Sequence, residues 1–561
     1  MKYKINKISN DVIDCIYENR GLTDEMVDAI LDSDIENWED TLNYKNIDRG
    51  YKRLMKSIEN NDLIGVLVDP DVDGYTAATT VFSFISDYLQ YDNVLYIIQE
   101  DSVKAHGITE EVIRKVKNNG IKLLITPDSS SNDFEQQLEL CEMGCKFIAL
   151  DHHKFDSNDV PETSIVINNQ DGSVKNTDAS GCFVTYKFCH YVAEQEGIDL
   201  GYNYLDLVNI SNISDMRDMS NLENRYIYNI GKRVENITNK LIKSFIDDLK
   251  IKKILTIENV NFGIANKINA IIRNGSIDEK EALFESLIGS YETVTYKYKG
   301  KTMEQSIQDS ILRIANRLRN SQKNLIKKCL DKGVKTYTNE NDKLVIIDGT
   351  NMDSKITGLL ANKLMREYNR PIMILKEFEG NLRGSCRGYT LDSFNNLCKE
   401  SNLFNSVEGH DNSFGCNILK DNLEKFISYA NEKLSDIEFD DSIEIDYVYD
   451  KSIPLEDVID IAALSELWSN QIPSPKLLVR DITINTKDIS KRGINLSFKI
   501  DKIQFRKDYC SKVFYEDLIK LEENQDMDKD LKMDILCEVK TWESGLGYIN
   551  IIEAESEVLD E

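Results

Sequence analysis

Five short apolar runs set the frame for this chain: LIGVLV at 63–68, VLYII at 94–98, LLIT at 123–126, FIAL at 147–150 and IVI at 165–167. Each is too short for a helix, most are rich in β-branched residues, and an amphipathic stretch separates each from the next. That alternation, with a period of roughly 25 residues, builds βαβ units and a parallel sheet. Open parallel sheets bind ligands beyond the carboxyl ends of their strands. The residues just after each run therefore matter more than the run itself.

Carboxylates and imidazoles occupy those positions. DPDVDG stands at 69–74, TPD at 126–128, DHH at 151–153, and NISNISD at 209–215 in a later helical stretch. Asp69, Asp71 and Asp73 alternate directly after a buried strand. Unpaired carboxylates are costly to bury, and crowding them is worse unless a cation shares them. Oxygen and imidazole donors without a thiolate favour Mg²⁺ or Mn²⁺ over zinc, with Mn²⁺ the more tolerant of histidine. Any one of these aspartates alone reads as an ordinary helix cap or turn residue. Their recurrence at one sheet edge, beside two of the chain's five histidines, points to a metal.

The length of 561 residues allows three or four domains. A net charge of -29 repels polyanions at large, so any contact with nucleic acid has to be local. Residues 301–335 provide one such place, with nine lysines and arginines against three acids. Ile307, Ile311, Ile314 and Leu318 recur there at helical spacing, which predicts one long helix in a mostly helical region from 200 to 330. A second α/β pattern starts at 344–347, continues through a helix over 356–368, and reaches a strand at 371–375. From about 475 onward short strand-like pieces predict an all-β module, a small barrel. The boundaries read as 1–235, 236–335, 336–440 and 441–561. Eleven cysteines without a C-x-x-C pair predict free thiols in a reducing cytoplasm. The N-terminus does not resemble a secretory signal, and no apolar run nears the ~18 residues of a membrane span.

The motifs Asp71-Val-Asp73 with Gly74, Asp128, Asp151-His-His153 and Asp215 resemble, in order and spacing, those of the DHH phosphoesterase superfamily, in its RecJ-like single-stranded DNA exonuclease branch. The likeness extends to RGLT at 20–23, the stretch 46–62, FGIANKINAIIRNG at 262–275, GSCR at 384–387, VEGH at 407–410 and LWSNQIPSP at 467–475. Three departures stand out. Leu67 occupies the place where pyrophosphatase-type members carry a histidine, which suits the nuclease branch. Asp128-Ser-Ser130 replaces the usual Asp-Cys-Gly. Glu408 replaces the first glycine of the pair that precedes His410.

The resemblance implies a parallel-sheet DHH domain, a long connecting helix lining a channel, a smaller α/β substrate-binding domain, and a C-terminal oligonucleotide-binding barrel. The implied activity is metal-dependent 5′-to-3′ hydrolysis of single-stranded DNA to mononucleotides, in recombination or repair. Asp71, Asp73, Asp128, His152 and Asp215 would hold one or two Mn²⁺ or Mg²⁺ ions, with Asp128 bridging and Asp69 as a further ligand or a partner behind them. His153 would contact a phosphate oxygen or steady the nucleophile. Arg273, Ser385, Arg387 and His410 would hold phosphates of the strand, with Ser385 and Arg387 on a flexible loop. A single-strand-binding protein or a helicase is the implied protein partner. His106 and His190 fall outside the motifs, and His190 reads as packing. Phe498, Phe505, Tyr509, Trp542 and Tyr548 stay open between base stacking and core. Two other readings remain: a phosphodiesterase for short oligonucleotides or cyclic dinucleotides, and an inactive DNA-binding scaffold.

Overall fold

The computed structural model describes residues 3–100, 106–157, 159–298, 301–439, 442–492, 495–508, 529–542 and 544–558. The chain divides into two compact units, Tyr3–Arg313 with Glu444–Glu561, and Ile314–Ile443.

In the first unit the five apolar runs form five parallel strands: β1 (Ile64–Val68), β2 (Val94–Ile98), β3 (Leu123–Pro127), β4 (Lys146–Asp151) and β5 (Ile165–Asn168). Their order is β2-β1-β3-β4-β5, so β1, β3 and β4 lie in the middle. β1 and β3 are buried along their whole length, which is why they read as continuous apolar runs rather than alternating ones. Helix α1 (Val72–Ser83) comes directly after β1, and Asp71 caps it by accepting a hydrogen bond from Gly74 N at 2.9 Å. Helices α2 (Glu110–Asn119) and α3 (Phe134–Glu142) share a core with the sheet through Val112, Val116 and Leu140. Helix α4 (Gly181–Glu196) packs on α1 and β4, and α5 (Leu205–Ser214) packs on both helices.

The segment 200–330 is less helical than its pattern predicts. After α6 (Asn266–Asn274), an antiparallel hairpin of β6 (Thr293–Tyr298) and β7 (Lys301–Ser306) intervenes. The long basic helix, α7, therefore begins only at Ile307 and runs to Asp331. Thr293, Val294, Thr295 and Tyr296 carry β-branched and aromatic side chains that favour a strand, whereas the isoleucine spacing becomes helical only from Ile307. Ile307, Ile311 and Leu318 are buried as that spacing requires.

The second unit holds a five-stranded sheet of β8 (Val345–Asp348), β9 (Ile372–Phe378), β10 (Asn381–Arg387), β11 (Phe404–His410) and β12 (Ser413–Leu419), with helix α8 (Thr357–Tyr368) between β8 and β9. The order is β11-β12-β10-β9-β8, and only β8 and β9 run parallel. Gly384, Ser385, Cys386 and Arg387 do not form a flexible loop. They lie in β10, paired with β9 on one side and β12 on the other. A Cβ at Gly384 would stand 1.8 Å from the Ile374 carbonyl, so the glycine permits the close strand pairing.

The C-terminal module belongs to the first unit. It is a seven-stranded sheet in which β13 (Tyr447–Asp450), β14 (Leu477–Asn485), β15 (Ser490–Arg492), β16 (Asn495–Ile500), β17 (Ile503–Lys507), β18 (Asp530–Thr541) and β19 (Gly547–Val558) take the order β13-β14-β18-β19-β17-β16-β15. The pieces at 477–479 and 482–484 are one strand with a register shift between Val479 and Ile482. One cavity is lined both by Tyr447, Val448 and Tyr449 and by Asp501, Lys502 and Ile503, so residues of strands far apart in the order face the same space and the sheet curls. Phe498 and Phe505 stack inside its core, 5.1 Å between centroids. Trp542, 41% exposed, stacks on Tyr548 at 4.4 Å outside that core, and Tyr509 lies outside the described residues. Among the described residues no helix is long and apolar enough to cross a membrane.

Candidate active site

The sheet brings the acidic motifs to one edge because each strand ends where its aspartate begins. Asp69 succeeds β1, Asp128 succeeds β3, Asp151 ends β4, and Asp215 caps the C-terminus of α5. Three ligand groupings result, each with donor atoms within 4.8 Å of one another: Asp69, Asp71 and Asp128; Asp73, His152 and Asp215; and Asp128 with Asp151, His152 and His153. The first two meet where His152 Nε2 lies 3.1 Å from Asp128 Oδ1. The same nitrogen is 3.7 Å from Asp73 Oδ2 and from Asp215 Oδ2.

Backbone donors hold these carboxylates in place. Asp73 accepts from Gly181 N and Cys182 N, both at 2.7 Å, at the start of α4, and from Ser211 Oγ at 2.5 Å on α5. Asp151 accepts from the amides of His152, His153 and Ser131, and its Oδ1 lies 2.8 Å from His153 Nδ1. Asp128 itself has a left-handed backbone, φ 61, and so does Ser130, φ 73. The turn after β3 thus survives the missing glycine, with a serine in the conformation glycine adopts at least cost. Ser130 is tied down through its carbonyl, which accepts from Gln137 Nε2 at 2.8 Å.

Electrostatics show how unfavourable the cluster is without a cation. Burial, then the charges of Asp73, Asp71, Asp69 and Asp215, push Asp128 well above the usual carboxylate range. Burial and neighbouring carboxylates raise Asp73 and Asp215 to about 6, although hydrogen bonds to Asp73 and the charges of His152 and Arg217 on Asp215 oppose the rise. Burial lowers His152 to about 4, so it is a neutral imidazole at pH 7, the form that binds metals. Burial would lower His153 too, but Asp151 outweighs it and raises this imidazole to about 10. Asp128 Oδ1 is buried yet accepts no hydrogen bond. A buried acceptor without a donor, among crowded acids and a neutral imidazole, fits one or two hard divalent cations.

Close approach of α4 depends on one residue. A Cβ at Gly181 would stand 2.4 Å from Asp128 Oδ1 and 2.7 Å from Asp128 Cα. Gly181→Ala is expected to displace Asp128 or the helix start and to weaken Mn²⁺ binding by at least about tenfold. Isothermal titration of the folded variant checks this, and unaltered affinity would contradict the packing argument.

Other residues distribute unevenly. Arg273, on α6, is partly buried and within electrostatic reach of Asp71, while burial lowers its pKa. In the second unit Ser385 Oγ lies 2.9 Å from Thr357 Oγ1 at the start of α8, and a Cβ at neighbouring Gly358 would meet Arg387 Nη2 at 2.9 Å. His410 closes β11 opposite Ser413, and Glu408 is exposed on the same strand. His190 lies among aromatic rings, 5.4 Å from Trp38. The sequence reading missed Arg217 and set His106 aside as outside the motifs. Arg217 binds Asp215 Oδ2 at 2.7 Å and Asp178 Oδ1 at 3.1 Å. His106 Nδ1 lies 2.6 Å from Asp69 Oδ2. Arg217 stands two residues after a metal motif, a weak signal; nothing local marks His106.

A parallel α/β sheet with crowded aspartates and paired histidines at its strand ends defines a DHH-type phosphoesterase domain, and the family model for the DHH family, N-terminal domain, matches residues 63–211. The chain belongs to the DHH family, in its RecJ-like branch. It is 31% identical over 540 residues, 91% of each chain, to the SPbeta prophage-derived protein YorK of Bacillus subtilis (strain 168), provisionally named a single-strand DNA-specific exonuclease. The single-stranded-DNA-specific exonuclease RecJ of the same bacterium is 22% identical over 473 residues, which cover 81% of this chain and 56% of RecJ. The fold matches crystal structures of RecJ from Thermus thermophilus in complex with Mn²⁺, with a TM-score of 0.69 and 16% identity over 99% of this chain and 79% of that one, and with Mg²⁺, with a TM-score of 0.64.

Proposed function

We propose that this chain is a Mn²⁺- or Mg²⁺-dependent exonuclease that degrades single-stranded DNA from its 5′ end to mononucleotides, in recombination or repair. The observation that carries the reading is the junction of two ligand groupings at Asp128 and His152. Similarity to YorK along nearly the whole chain supports the substrate.

Asp71, Asp73, Asp128, His152 and Asp215 would hold the ions in this reading, with Asp69 behind them. Bound there, divalent ions neutralise phosphate charge and make water a competent nucleophile. The protein does the rest by positioning. Arg217 fixes Asp215, and Asp151 keeps the His153 imidazole charged near neutral pH, ready to donate to a phosphate oxygen. Arg273, and in the second unit Ser385, Arg387 and His410, hold other phosphates of the strand through charge-assisted hydrogen bonds. The described cysteines are all free thiols, which supports a cytoplasmic enzyme. A single-strand-binding protein or a helicase is the class of partner that would present such a strand.

Digestion of long single strands labelled at either end tests the reading. With Mn²⁺, the 5′ label is expected to leave first and as a mononucleotide, and a chelator is expected to stop the reaction. Faster cleavage of a dinucleotide or a cyclic dinucleotide than of the long strand would favour the short-substrate alternative. Failure to take up Mn²⁺ would favour an inactive scaffold.

A further inference from the structure

His106 reaches the acidic edge by a route that none of the metal motifs uses. The residue lies between β2 and α2, and three hydrogen bonds pin the backbone around it. Gly107 N donates to Asp69 Oδ1 at 3.0 Å, Ile108 N donates to Asp133 Oδ2 at 2.8 Å, and Gln99 Nε2 donates to the Gly107 carbonyl at 3.1 Å. Gly107 has φ 72, and a Cβ there would stand 2.3 Å from Asp133 Oδ2. Only glycine permits that conformation and that approach together. The His106 ring is held as firmly, with Nδ1 2.6 Å from the buried Asp69, yet its side chain is 51% exposed.

The arrangement repeats that of His153. There too an imidazole, 43% exposed, is held through Nδ1 by a buried aspartate, Asp151, at 2.8 Å. In the order β2-β1-β3-β4-β5, Asp69 at the end of β1 and Asp151 at the end of β4 stand on either side of β3, which leads into Asp128. Two aspartate-held imidazoles thus bracket Asp128. An aspartate behind a histidine fixes the ring's orientation. Core packing accounts for neither ring, because each is half open to solvent beside a carboxylate cluster.

We propose that His106 is a substrate-contacting residue, gripping a nonbridging oxygen of the scissile phosphate on the side of Asp128 opposite His153. This rests on the exonuclease reading above. Because the contact exists in both the bound substrate and the transition state, it contributes to binding more than to turnover.

The test compares wild type, His106→Ala and His106→Gln on single strands with an ordinary phosphate or with the Rp or Sp phosphorothioate at the cleaved position, in saturating Mn²⁺. Loss of a charge-assisted hydrogen bond is expected to raise KM about tenfold or more, with kcat changed by less than about threefold. Wild type is expected to discriminate between the two sulfur isomers, and His106→Ala to lose that discrimination. His106→Gln, which keeps a donor on a side chain of similar reach, is expected to restore part of both effects. The melting temperature is expected to fall in His106→Ala, because the buried Asp69 loses its partner, while Mn²⁺ affinity of the folded variants should stay within about threefold of wild type. An unchanged KM and unchanged discrimination in His106→Ala overturn the inference alone. So does weakened Mn²⁺ binding with an intact KM, which would reduce His106 to a support for Asp69. A wild type that binds Mn²⁺ but hydrolyses no single strand overturns the exonuclease reading, and this inference with it.

Discussion

Asp128→Asn is expected to abolish single-strand hydrolysis, lowering kcat by more than about a thousandfold, while the metal-free protein melts at a higher temperature than wild type. Both effects have one cause. Asp73, Asp71, Asp69 and Asp215 all disfavour the charge of Asp128, and it is almost fully buried. With divalent ions bound as proposed, that crowding would be useful, since Asp128 would help hold the ions that neutralise the phosphate. In the metal-free protein the same crowding is a cost. An amide of the same shape removes it, and asparagine tolerates the left-handed backbone at this position. The expected rise is about 3 °C or more. Steady-state rates in saturating Mn²⁺ and melting curves in chelator measure the two halves separately. Residual turnover within tenfold of wild type would refute the site assignment, and a lower metal-free melting temperature would refute the electrostatic account.

Withdrawal of the divalent ion is expected to stop the enzyme and to make its stability depend on pH in an uncommon direction. Asp73 and Asp215 titrate near 6 in the folded, metal-free protein, above the ordinary aspartate value of 3.8. A raised carboxylate binds its proton more tightly folded than unfolded. Its contribution to stability is therefore fully present below about pH 4 and is lost as pH rises through about 6. Measured in chelator, the melting temperature of wild type relative to the Asp73→Asn, Asp215→Asn double variant should fall as pH goes from 4 to 7. Mn²⁺ should reverse the trend, because the ion competes with these protons and binds best where they are absent. At about a hundred times its dissociation constant the ion stabilises the fold by about 2.7 kcal/mol, a shift absent from the double variant. A wild-type minus variant difference that stays flat across this range would show that the two carboxylates are not strained in the metal-free fold.

The five strands and the acidic motifs at their ends were legible because both signals are local. A buried strand announces itself as an apolar run, and chain direction places the next residues at the sheet's carboxyl edge. Asp71, Asp128, His152 and Asp215 could thus be grouped without knowing the order of the strands. Local pattern failed where neighbours along the chain were weak guides. Residues 293–298 and 301–306 pair as antiparallel strands inside an otherwise helical region, and the Ser385 and Arg387 segment resembled a glycine-bearing loop although Gly384 serves to bring strands together.

By itself the sequence determined which polar groups stand at the strand ends, since residue order and the two-residue period of a strand are covalent facts. Which distant loops join them was decided only in three dimensions. His106 lies 37 residues from Asp69 and meets it because β2 pairs beside β1. Asp73 is held by amides more than a hundred residues away because α4 docks against α1. Those choices come from strand order and from helix packing around a shared core, and no short window of sequence carries either.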